Sequence, residues 1–554
     1  MNFCAGWLQG GNLNWCGDAD AHAGMRDNCH CLLPLTIHHS SPLAIDIPNN
    51  FLIIDIPIPL IMKKYLLPCL LLAFPFALAA QQDAMSVQSD FYNNVKSVVS
   101  FVWDDHTNIV TLDIDNENFD VVAVNDQMQM VWRSSFAGYV LKTARFNDKI
   151  IAIAATEHST FKGAGNTYIA YLIDPANGKQ LAQKEIYHGD ENYVEIPEIF
   201  TGEGAFVKLC VRQTTFQRKM HVAFPGIVAF FSMGKYAREF NETRELDVVT
   251  LGDKLEPAMI KLPIASGSLV NWCANKQGDL FIAWFNGPSI EVFKYPAGSS
   301  SPAKQLNADV SFVPNDRTNV SEEFLMQPSS VHLDVVYYGT SYSTENENAE
   351  LGIGKLDFGG GKKLFVTETF DRDHVKALEK SFVKINKKAD DVDLGARKGL
   401  HIRYLAEVNG TLIATVTSRH FESSSYGSWD CENSVLVNGY DENLATRFQQ
   451  ILPANYKYPN RFLPVAYHIA KNKMYVISNE KSGLTTLTGI YGCLDLASGT
   501  WEKMLALSKK HISDSDYSEG AAAMWFADSF AVAYIARKTL RPNSFDIMLQ
   551  QNAY

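Results

Sequence analysis

The chain has 554 residues, with 61 acidic against 49 basic side chains and a net charge of −12. That balance argues against a nucleic-acid binder, which needs basic patches. Aromatic residues at 12% and charged residues at only 20% exclude a disordered chain and supply apolar mass for a large core.

Residues 1–61 differ from the rest. They hold Cys4, Cys16, Cys29 and Cys31, the pair His38 and His39, and the stretch "AIDIPNNFLIIDIPIPLI". Cys and His are zinc ligands, but these spacings match no zinc finger. The plainer reading is an upstream extension ahead of the true start, expected to be disordered. Residues 62–80 read as a signal peptide. Lys63 and Lys64 form the positive end, Leu66 to Leu78 the apolar stretch, and Ala77-Leu78-Ala79-Ala80 the small residues of a cleavage site. Pro68 and Pro75 break the apolar stretch, which is also short of the roughly 20 residues of a membrane span. Leu-Leu-Pro before Cys69 argues against lipid attachment. The expectation is an exported protein, secreted or periplasmic, starting at Met62, with no transmembrane anchor and a mature chain from about Gln81.

Four cysteines remain: Cys210, Cys273, Cys431 and Cys493. Export permits disulfides, and four cysteines allow three pairings. Three lie in apolar runs ("FVKLCVR", "LVNWCAN", "GIYGCLDL"), which suits buried free thiols equally well.

From residue 81 onward, short β-rich runs alternate with Gly, Asn, Asp and Pro turns. A hairpin recurs. Clear copies begin at Tyr139 ("YVLKTARFNDKIIAIAATE"), Tyr193, Ser268, His401, Leu463 and Ala521, and weaker ones at Ser97 and Glu322. A second hairpin follows each, as in "GIGKLDFGGGKKLFVTET", whose glycines read as a hairpin turn because no phosphate-loop spacing is present. Four antiparallel strands repeated every 40–80 residues resemble the β-propeller architecture. The predicted fold is all-β: one propeller over residues 81–554 with eight four-stranded blades, with seven as the alternative count because the copies at Ser97 and Glu322 are weak. Tandem β-sandwiches are the alternative. The last copy ends after its third strand, and "AMSVQSDFY" (84–92) is the candidate for the missing fourth. The signal-peptide style and the Asn/Lys-rich loops are also similar to exported proteins of Bacteroidota, a likeness that implies no activity.

One insertion, 370–399, breaks the pattern. Val375, Leu378, Phe382 and Ile385 form one helical stripe, which predicts a helix from about Asp373 to Asn386 capped by Asp371 or Asp373. If the stripe packs on the propeller, the insertion is structural; if it is exposed, it is a docking helix.

In a propeller, the strand two-to-three loops share a face with the blade-to-blade connections, and binding groups concentrate on such loops. That register gathers His158, Arg212, Trp284, Tyr338 and Tyr342 with Arg419, His420, Tyr426, Trp429 and Arg537. Aromatic rings with fixed polar groups suit a glycan or an extracellular protein partner. A binding protein, monomeric and without cofactor, is therefore the first functional expectation. A carbohydrate-active hydrolase or lyase is the second, with His158, Asp373, His420 and Glu480 as acid/base candidates. A structural envelope protein is the third. "DSDYSEG" opens like a calcium loop, but Glu519 stands where Gly is required and Trp525 where the final Glu is required, so a solvated turn is expected.

Overall fold

The computed structural model describes residues 85–88 and 96–554, apart from 116, 157, 160–162, 165–166, 190–192, 195–196, 215–242, 287–288, 311–323, 330–334, 344–347, 383–384, 386–393, 395–399, 425–426, 455, 459–464, 483–485, 508–516 and 538–544. The extension at 1–61 and the signal segment at 62–80 lie outside the described residues.

The fold is a β-propeller of eight antiparallel blades in a ring. Blade one is Ser97–Asp104, Thr107–Asp113, Asn118–Asn125 and Met130–Ala137, paired in chain order from inner to outer strand. Blades two, four, five and seven repeat this plan from Tyr139, Ser268, Phe324 and Ala466. Tight turns make the hairpins. Asn409 and Gly410 both take positive φ (49° and 77°), which suits the right-handed twist of the strands they join.

The middle strands are apolar on both sides because each blade packs a neighbour on each face. In Lys149–Ala155 every residue after Lys149 is buried. The core is therefore divided among the seams between blades. Tyr139, Ile151 and Tyr187 of blade two meet Ile199, Leu209 and Val249 of blade three. Val98 and Val110 of blade one meet Ala531, Ile547 and Leu549 of blade eight. Each fully buried aliphatic side chain contributes about 1.5–3 kcal/mol relative to exposure.

Blade eight closes the ring with both ends of the domain. Ser529–Arg537 pairs with Phe545–Ala553, and the outermost strand is Met85–Gln88, with Met85 opposite Gln551 and Gln88 opposite Met548. The segment expected to complete this blade does so. The inner strand is broken into Tyr517–Ser518 and Met524–Trp525, and side chains of adjoining blades bond to its backbone. Ser100 Oγ donates to the Ala523 carbonyl at 2.6 Å, Asn108 bonds both the N–H and the carbonyl of Trp525, and Asn479 Oδ1 accepts from Ser518 N at 3.2 Å.

The insertion after blade five contains helix α1, Arg372–Ser381. Asp371 caps it, accepting from His374 N at 2.8 Å. The helix stops sooner than its sequence stripe suggests, because Phe382 turns to extended backbone (ψ 128°). Val375 is buried, and Leu378 and Phe382 are partly buried against Phe370, Leu394 and residues of blades five and six. The insertion is thus structural. Among the described residues no helix is long and apolar enough to cross a membrane.

Candidate functional site

The expected loop residues do not all lie in loops. Two are corrections. Trp284 is fully buried in the seam of blades three and four with Cys210, Leu246 and Trp272, so its indole is core rather than a displayed platform. Tyr338 is also fully buried, and Asn438 Nδ2 donates to its hydroxyl at 3.3 Å. Both residues fall inside second strands, Leu280–Asn286 of blade four and Val335–Ser343 of blade five, within the sheet rather than on the loop face.

The other positions are spread around the ring. His158 lies in a miniature strand pair, His158–Ser159 with Gly163–Ala164, between strands two and three of blade two. Arg212 lies within Val207–Thr214 and donates from Nε to Thr243 Oγ1 at 2.8 Å. Burial brings its guanidinium down to about 10, still protonated at neutral pH. Tyr342 stands opposite Ala349 in blade five, and Arg537 ends Ser529–Arg537 opposite Phe545. Tyr426 lies outside the described residues. Of the acid/base candidates, Asp373 is exposed in the first turn of α1, whereas Glu480 is buried in Lys473–Ser482 of blade seven. Glu519 caps a turn, accepting from Ala521 N at 3.1 Å. Among the described residues no three His, Cys, Asp or Glu side chains converge as metal ligands.

Blade six departs most from the common plan. Its second and third strands, Thr411–Ser424 and Gly427–Tyr440, are each 14 residues long. The inner strand Leu400–Val408 pairs only as far as Ser418. Beyond it the two long strands continue as an arm, joined on the outer side by Tyr456–Tyr458. The stretch 418–429, which carries Arg419, His420, Tyr426 and Trp429 of the loop-face set, is therefore mostly strand. Pairing sets four rows across the arm: Arg419–Glu432–Tyr456, His420–Cys431–Lys457, Phe421–Asp430–Tyr458 and Glu422–Trp429. Successive rows belong to opposite faces. Arg419 shares a face with Phe421, Asp430, Tyr456 and Tyr458; His420 shares the other with Glu422, Trp429, Cys431 and Lys457. Tyr456, Tyr458, Cys431 and Lys457 escape a loop-by-loop reading. Only the three-strand register gathers them.

Below the arm a polar network joins α1 to blades five and six. His374 Nε2 bonds Gln449 Oε1 at 3.0 Å, and Gln449 Nε2 donates to Glu368 Oε1 at 2.9 Å. Tyr440 donates to Glu368 Oε2 at 3.2 Å. His374 also stacks on Phe370, with ring centroids 4.7 Å apart. Burial raises the Glu368 carboxyl above its ordinary range, against the lowering effect of the Tyr440 and Gln449 hydrogen bonds and of His374.

At the opposite end of blade five a cleft of about 440 Å³ is lined by Ser329, Lys355, Asp357, Lys362, Lys363 and Leu364, among others. Lys355 is paired with the buried Glu407 at 3.0 Å and Lys363 with Asp309 at 2.6 Å. These pairs leave the cleft little net charge.

No protein-family model and no curated protein matches the chain. Similar solved structures include the WD40 domain of SCAP from fission yeast, at 8% identity and TM-score 0.35 over 85% of this chain and 98% of that one. Virginiamycin B lyase from Staphylococcus aureus is similar at 8% identity and TM-score 0.33, over 85% and 99%. The quinohemoprotein alcohol dehydrogenase ADHIIG from Pseudomonas putida HK5 is similar at 10% identity and TM-score 0.42, over 85% and 76%.

Proposed function

We propose that the chain is an exported binding protein that holds a glycan on the blade-six arm and the loop face around it. The observation that carries this reading is the arm. It extends beyond its own inner strand, and one face combines Arg419, Phe421, Tyr456 and Tyr458 with Asp430 and Glu432. Aromatic rings offer stacking surfaces to sugar C–H faces, and the charged groups offer strong hydrogen bonds to hydroxyls. The apolar contacts of α1 and the Glu368 network give the neighbouring face a fixed shape, which limits the ordering cost of binding.

The test is the melting temperature of the purified protein against a panel of polysaccharide fragments, with calcium and with chelator. A ligand that binds only the folded state adds about 2.7 kcal/mol of stability at a hundredfold excess over its dissociation constant. A shift with one glycan class, lost in Arg419→Ala, supports the reading. No shift with any glycan overturns it and directs attention to a protein partner.

A further inference from the structure

The seam between blades two and three holds a buried carboxylate that the protein satisfies on one oxygen only. Gln213 of Val207–Thr214 and Asp247 of Thr243–Leu251, the second and third strands of blade three, are 3% and 2% exposed. Asp247 Oδ2 accepts from the Tyr187 hydroxyl at 2.8 Å and from Gln213 Nε2 at 3.0 Å. Gln213 Nε2 also donates to the Tyr187 oxygen at 3.1 Å. Tyr187 belongs to the outer strand of blade two, so the three side chains tie the two blades together. Asp247 Oδ1 and Gln213 Oε1, by contrast, are buried and receive no hydrogen bond. From this pair of oxygens we propose that the seam binds a monovalent cation, sodium or potassium, on Asp247 Oδ1 and Gln213 Oε1.

The first argument is that the orientation of the cluster is fixed. Reversing the Gln213 amide would set its oxygen against Asp247 Oδ2, two acceptors face to face. Burial, and then the bond to Asp247, raise the Tyr187 hydroxyl well above its ordinary range, so it stays protonated and donates. No exchange of donor and acceptor within the cluster supplies either open oxygen.

The second argument is charge. Lys261 stands directly opposite Asp247 in the strand register, but its ammonium pairs with Glu245 at 2.9 Å. Lys184 and His188 of the facing strand are exposed. Arg212 projects from the opposite face of its strand to Gln213 and bonds Thr243. Lys261 and Glu245 cancel, which leaves the cluster the single charge of Asp247. Asp120, equally buried, shows the ordinary solution: Arg133 and Ser135 take up its two oxygens. An unpaired buried charge is strongly unfavourable. A water donates to such oxygens but leaves the charge in place. A monovalent cation cancels it, whereas a divalent one would bury a net positive charge instead. Carboxylate and amide oxygens are the ligands of hard cations, and the burial of both atoms excludes an organic ligand. The site is remote in the chain from the blade-six arm and does not depend on the glycan reading.

The protein is dialysed into choline chloride, and its melting midpoint is compared with those in sodium chloride and potassium chloride at equal ionic strength. At about tenfold excess over its dissociation constant, the bound ion should raise the midpoint by roughly 1–2 °C in a domain of this size. Asp247→Asn keeps the shape, removes the charge and supplies a donor in place of one carboxylate oxygen. The variant should lose the response to sodium and potassium, and in choline it should melt no lower than the parent. Equal parent midpoints in the three salts overturn the proposal and leave water as the donor to both oxygens. A salt response that survives in Asp247→Asn also overturns it, because the ion then acts elsewhere. A parent that responds to calcium or magnesium but to neither sodium nor potassium overturns the monovalent assignment.

Discussion

Arg419 and His420 are neighbours in the chain yet belong to opposite faces of the blade-six arm, register-opposed to Glu432 and Cys431 respectively. A ligand lying on one face meets only one of them. We therefore expect Arg419→Ala to weaken glycan binding about tenfold or more, the worth of one charge-assisted hydrogen bond, and His420→Ala to change it less than about twofold. Calorimetric titration of both variants measures this. Equal losses would mean that the ligand wraps the arm's edge or that the binding surface lies elsewhere.

Trp284 should act on stability rather than on binding. Trp284→Ala is expected to cost about 3–5 kcal/mol, the usual range for removing a large buried aromatic. The Trp284 Nε1–H is buried without a hydrogen-bond partner. Phe lacks that group, so Trp284→Phe should cost much less, under about 2 kcal/mol, the smaller cavity being offset by relief of an unmet donor. Urea midpoints of the two variants decide; equal losses would contradict the packing described.

Glu368 gives a pH dependence with a definite sign. Burial raises its folded-state value above the ordinary 4.5. Its favourable contribution is therefore complete below 4.5 and is lost as pH rises through the raised value. Glu368→Gln removes this titration. The stability of the variant relative to the parent should increase with pH across that window and then level off. Curves that stay parallel from acid to neutral pH would show that the hydrogen bonds of Tyr440 and Gln449 and the charge of His374 cancel desolvation, and a fall of the variant relative to the parent would show that they outweigh it.

Removing Met85–Gln88 should destabilise the ring without unfolding the other blades. Four residues pair with Phe545–Ala553, and at about 1 kcal/mol per net backbone bond the loss is about 2–4 kcal/mol. A chain starting at Ser89 compared with one starting at Gln81, in urea, measures it. Identical midpoints would mean that the closing pairs contribute nothing net.

The repeat was legible because alternating apolar runs and Asn/Gly turns are local, and each blade uses the same ones. Asp371 and the Val375–Leu378–Phe382 stripe likewise announced α1. The broken inner strand of blade eight was not legible, because it depends on Asn108, Ser100 and Asn479, side chains supplied by other blades. Trp284 and Tyr338 were placed on the loop face because a strand's last residues look alike whether the sheet continues or stops. The arm was hidden for the same reason. "SRHFESSSYGSWD" is polar enough for a loop, and only pairing with Tyr456–Tyr458 shows that it is sheet.

The closing pair of Met85–Gln88 with Phe545–Ala553 also bears on how the molecule forms. These contacts span almost the whole domain, giving them the highest sequence separation in the fold, and such contacts form slowly because loop closure precedes their reward. Seven blades can assemble as the chain emerges, but the eighth must wait for the last residues. Because the two ends meet within one sheet, a circularly permuted chain cut between two other blades should reach the same ring with its latest step moved to a different seam.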